Sequence, residues 1–171
     1  MSSTDTVRAS LEATASLLAP AHPDVAEQVL HAYDDPEGYA RTHAAQLDER
    51  GIHEPVAELA WIALVDALFE HRLLAEFDWK EDPQEIRAHL RTLVSRPSVD
   101  PWALFEADEM SLPTHEFLMA CGRHYRDVGA ALAVLDIESD CYPVVCLRAA
   151  QVEELTTLAG RAGYTAQGLG N

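Results

Sequence analysis

One segment, Pro55 to about Arg72, is apolar around most of its circumference, and this limits the fold more than any other feature. It carries Leu59, Trp61, Ile62, Leu64, Val65, Leu68 and Phe69. A helix with so little polar surface must be covered on several sides, so it belongs at the centre of a layered structure. Its polar residues Glu58, Asp66 and Glu70 fall, with Ile62, at intervals of four, which lines them up in one slowly drifting stripe. The stripe predicts a single wet seam with Asp66 exposed, so that Asp66→Asn should change stability by no more than about 0.5 kcal/mol.

Helix starts are marked by acid–proline pairs: Asp35-Pro36, Glu54-Pro55, Asp82-Pro83 and Asp100-Pro101. The acid suits the N-cap, and proline suits the first helical position, where its missing N–H costs nothing. Helices are predicted over Thr4–Leu18, Pro23–Tyr33, Pro36 toward Arg50, Pro55–Arg72, Pro83–Ser95 and Thr114–Val128, with a last one from about Ala149 to Arg161. Pro101–Phe105 reads as a short helical turn and Glu106–Glu109 as an acidic loop.

Between these, Leu73 to Lys80 alternates, with Leu73, Ala75, Phe77 and Trp79 on one face and Glu76, Asp78 and Lys80 on the other, the signature of a half-buried strand. Ala131–Ile137 is apolar on both faces, and Glu138–Asp140 is a polar hairpin loop into Cys141–Leu147. Pro143 predicts that this second strand is an edge or begins late. A brief strand near Tyr164 precedes a glycine-rich tail. The expected fold is α+β: a helical N-terminal third, then a small, mostly antiparallel sheet with a C-terminal hairpin, covered by helices. At 171 residues the chain suits one domain over 1–171, with flexible ends at about 1–3 and 167–171.

The 29 acidic side chains against 12 basic ones leave a formal charge of -17. Such a surface repels phosphate backbones and anionic headgroups, which argues against nucleic acid and membrane as partners. Three cysteines without a C-x-x-C pair, and no apolar leader, fit a reducing, cytoplasmic location. No span of about 20 apolar residues is available to cross a bilayer.

Complete catalytic motifs are lacking. His115-Glu116 opens no H-E-x-x-H, and Asp136-x-Glu138-x-Asp140 begins like a calcium loop but has Cys141 where glycine and Leu147 where glutamate are required. Neither a metal nor a cofactor is therefore expected. Cys121 stands mid-helix among Phe117, Leu118 and Met119, where a buried thiol is more usual than a nucleophile. The polar row Glu76, Asp78 and Lys80 is the segment best suited to chemistry, since a lysine among carboxylates can orient a substrate or give up a proton.

The strand ending Asp78-Trp-Lys-Glu-Asp82 and the hairpin Leu135-Asp-Ile-Glu-Ser-Asp-Cys-Tyr142 together resemble an uncharacterised bacterial family of unknown function. The resemblance brings no activity, cofactor or catalytic residue. The leading expectation is a non-catalytic cytoplasmic binding or protein-interaction domain. One alternative is a small enzyme built from Asp78, Lys80 and the hairpin acids Asp136 and Asp140. Another is an acidic decoy or immunity-type protein that binds a partner with a basic surface.

Overall fold

The computed structural model describes residues 3–170; the expectations for Met1, Ser2 and Asn171 lie outside the described residues. Helices α1 (Ser3–Leu18), α2 (Pro23–Asp34), α3 (Pro36–Thr42), α4 (Ala44–Glu49) and α5 (Leu59–Glu70) come first. Then follow β1 (Leu74–Asp78), α6 (Pro83–Leu90), α7 (Thr114–Asp127), the β2–β3 hairpin (Ala130–Asp136 and Cys141–Arg148), α8 (Val152–Arg161) and β4 (Thr165–Gly168). The four strands form one antiparallel sheet in the order β1-β3-β2-β4. The α+β architecture is as the periodicities predict.

The sheet is buried on both faces. Leu74, Ala133, Leu135 and Val145 pack beneath α1, α2, α5 and α8 in one apolar core. Phe77, Leu132, Val144 and Cys146 pack against Ile86, Leu90, Trp102, Phe117 and Tyr125 in a second core on the other face. Helix α5 is central, and Trp61 is completely buried and stacks on Tyr164 with ring centroids 4.9 Å apart.

The three Asp–Pro pairs cap their helical turns: Asp35 accepts from the Gly38 N–H, Asp82 from Gln84 and Asp100 from Trp102. The Glu–Pro pair does not, and α5 starts at Leu59 with Glu58 at its N-cap. Aspartate carries its oxygens one bond nearer the backbone, which suits it to this role where glutamate is not. The helix expected from Pro36 breaks at His43, whose ring stacks on Tyr39 and whose Nδ1 contacts the Tyr39 carbonyl.

Two expectations about the sheet are corrected. Strand β3 is neither an edge nor late; it starts at Cys141 and lies between β1 and β2. Pro143 is tolerated because the β2 ladder stops one residue before it, at Val134↔Val144, so Pro143 is paired only with Glu76 of β1. The expected flexible end is also folded through Gly170: Gln167 and Gly168 belong to β4, Leu169 is buried, and its N–H donates to the Leu132 carbonyl. Gly122 of α7 makes this possible, since a Cβ there would lie 2.3 Å from the Leu169 carbonyl oxygen.

Candidate functional site

An acidic cleft of about 550 Å³ opens between α4, α5, β1 and the tip of the β2–β3 hairpin. Helix α4 delivers Arg50 from its C-cap, α5 delivers Asp66, Phe69 and Glu70, β1 delivers Glu76, and the hairpin tip delivers Asp140. Strand alternation explains Glu76: its neighbours Ala75 and Phe77 point into the second core, so Glu76 faces the α5 side.

Arg50 is the organising residue. Its Nη2 donates to Asp66 Oδ1 and to Glu76 Oε1, both at 2.7 Å, and its Nη1 donates to Glu76 Oε2 at 2.8 Å. The side chains of Arg50, Asp66 and Glu76 are 19%, 12% and 18% exposed, so the triad is largely out of water. The guanidinium is thereby engaged by a two-pronged contact with Glu76 and by bonds from Nε and Nη2 to Asp66 Oδ1, which leaves one Nη1 N–H over. The Glu76 hydrogen bond contributes most to holding the Arg50 proton in place, with Asp66 adding to it.

The wet-seam expectation for Asp66 is overturned. Ile62 is buried, Asp66 is ion-paired, and its Oδ2 is buried without a hydrogen-bond partner. Gln46 of α4 and Arg50 at its C-cap reach that stripe at Glu70 and Asp66, a meeting of distant segments that helical spacing could not reveal. Burial raises the Asp66 carboxyl above its ordinary value, and repulsion from Glu76 and Glu70 adds to this, against the pull of Arg50. Phe69, expected in the core, is instead 57% exposed and lines the cleft.

The sequence-derived candidates are placed apart. Asp78 ends β1 opposite Cys141, and Lys80 lies in the following turn with its Nζ 4.5 Å from the centroid of the Trp79 ring. Asp140 lines the acidic cleft. Asp136 lines a second cleft of about 320 Å³ beside His115, Met119 and Gln167, and its Oδ1 accepts the Glu138 N–H at 2.7 Å. Asp78 and Lys80 border neither cleft. The cysteines offer no activated thiolate, since burial raises all three thiols, Cys146 to about 12.

Residues 10–169 match the family model described as Domain of unknown function (DUF6630). The chain belongs to that family. Both segments that carried the resemblance, Asp78–Asp82 and Leu135–Tyr142, fall inside the matched DUF6630 span. No curated protein and no solved structure matches the chain. Among the described residues of this DUF6630 domain, no helix is long and apolar enough to cross a membrane.

The raised Asp66 carboxyl has a consequence for stability. Folded Asp66 keeps its proton to higher pH than the unfolded chain does. Its contribution is therefore complete below the ordinary value near 3.8 and is lost as pH rises through the raised one. The stability of wild type relative to Asp66→Asn is expected to fall as pH rises across that window, read from urea melts between about pH 3.5 and 7. A difference that instead grows with pH would show Arg50 outweighing burial.

Proposed function

We propose that this is a non-catalytic, cytoplasmic binding domain that docks a basic segment of a partner protein in the acidic cleft. The observation that carries the reading is the cleft's charge: Glu49, Asp66, Glu70, Glu76 and Asp140 surround one cation, Arg50, which is already engaged by two of them. An arginine held in that way has no fork left for an anionic ligand. The remaining carboxylates favour a lysine or arginine side chain. Phe69 offers an exposed ring face at the same place, and a cation over such a face gains about 0.5 to 1 kcal/mol. The overall charge of -17 steers a basic partner toward the surface. The free cysteines Cys121, Cys141 and Cys146 support a reducing compartment.

The experiment is a binding titration of a fluorescent Lys/Arg-rich peptide against the full chain at low and moderate salt. Glu70→Gln combined with Asp140→Asn is expected to weaken binding about tenfold, with roughly 0.2 to 1 kcal/mol lost per exposed pair. Glu153→Gln with Glu154→Gln on α8 makes the same change of net charge at exposed positions away from the cleft. Equal weakening by both pairs would mean that bulk charge, not the cleft, holds the peptide, and would sink the reading.

A further inference from the structure

His22 and His71 are brought together by helix packing although the sequence separates them widely; His71 stands 47 positions beyond Asp24. His22 is the N-cap residue of α2 and makes no side-chain capping bond. His71 is the C-cap residue of α5. Their imidazoles stack with centroids 3.9 Å apart and planes 24° from parallel, and His71 Nε2 lies 2.7 Å from Asp24 Oδ2.

From this juxtaposition the structure assigns a divalent transition-metal site to His22, Asp24 and His71. One donor atom from each residue lies within 4.8 Å of the others. Around a tetrahedral ion with bonds of about 2.0 to 2.2 Å, donors stand about 3.3 Å apart. The longest separation in the cluster must therefore close by at most about 1.5 Å and the 2.7 Å contact must open slightly, adjustments within reach of side-chain torsions.

The backbones that carry the donors are held in place. The His22 N–H donates to the Ala19 carbonyl and the His71 N–H to the Leu68 carbonyl, while Val25 and Leu68, one turn inside each helix, are fully buried in the same core. The site joins the N-terminus of α2 to the C-terminus of α5. The negative end of α5 favours a cation, and Asp24 in the first turn of α2 offsets that helix's positive end.

Two imidazole nitrogens and one carboxylate oxygen select zinc, nickel, cobalt or copper over magnesium and calcium, which prefer oxygen ligands. Three protein donors leave a fourth position for water or an outside ligand. His22 and His71 are half-buried and Asp24 is exposed, so an ion can reach the cluster from solvent. None of the three residues lines the acidic cleft, so this site and the proposed function can fail independently.

Tag-free full-length protein, stripped with chelator, is titrated with Zn2+ by calorimetry, with thermal melts followed in parallel. The expected result is one saturable equivalent at micromolar or tighter affinity and a raised Tm, with no response to Mg2+ or Ca2+. His22→Ala, His71→Ala and Asp24→Asn should each weaken Zn2+ at least about tenfold, whereas His53→Ala, beside Asp48 on the surface, should not. The far-UV spectrum of each stripped variant establishes folding, and with three single variants a misfolded one leaves two to decide. Co2+ replacing Zn2+ should give visible bands of a tetrahedral or five-coordinate site. No saturable Zn2+ uptake below about 100 µM, a Kd unchanged by the His22→Ala/His71→Ala double substitution, or an equal loss in His53→Ala would overturn the assignment.

Discussion

Arg50→Ala is expected to lower the free energy of unfolding by about 3 kcal/mol, because it strands Asp66 and Glu76 side by side, mostly out of water, with no countercharge. Breaking a fully buried pair costs about 3 to 5 kcal/mol. The lower end applies here, since the guanidinium retains 19% exposure and water can partly take its place. The penalty should shrink on acidification, when the stranded carboxyls protonate and their repulsion ends. Adding Asp66→Ala to Arg50→Ala should return part of the loss, and the cycle isolates the pair's coupling. Urea melts at neutral pH measure all three variants. A loss under about 1 kcal/mol for Arg50→Ala would mean that the triad is solvated in solution.

Trp61→Ala is expected to cost about 3 to 5 kcal/mol, the range for emptying a large aromatic site in a packed core. Trp61 has no exposure and lies against the Tyr164 ring at an interplanar angle of 11°. Tyr164 in turn donates its hydroxyl to the Ala57 carbonyl at 2.9 Å, so the stack ties the start of α5 to the segment leading into β4. Truncation removes apolar burial and that tie together. Trp61→Phe should cost markedly less, since it keeps a ring in place and removes the indole Nε1, which has no hydrogen-bond partner. A two-state urea fit reads both. A loss for Trp61→Ala below about 1 kcal/mol would contradict the central position of α5.

Much of this fold is legible from local chemistry. Asp35, Asp82 and Asp100 announce their helical turns because N-cap hydrogen bonds reach only two or three residues along the chain. The alternation through Ala75, Glu76 and Phe77 marks β1 because neighbouring strand side chains must face opposite ways. Helix α5 is read as central because so many of its side chains cannot face water. The hairpin follows from an apolar run, a polar loop and a second apolar run.

The candidate sites were much less legible. The row of Glu76, Asp78 and Lys80 pointed to the right strand, yet of its members only Glu76 reaches the acidic cleft. Asp140 was the one site candidate from the hairpin to line it. Arg50 carried no local signal, because nothing at a helix C-terminus shows which carboxylates from later elements will pack against it.

By itself the sequence determined the α+β class, the helix starts at aspartate and the burial of α5, all of which depend on interactions within a few residues. Tertiary structure alone decided that β3 is central, that residues 167–169 join the sheet and its core, that Asp66 is paired rather than wet, and that His22 meets His71. Helical and strand periodicity says which face of an element needs cover. It does not say which distant segment supplies the cover, and the Gln46 and Arg50 side chains reaching the polar stripe of α5 turned an apparent surface aspartate into the largely buried partner of Arg50.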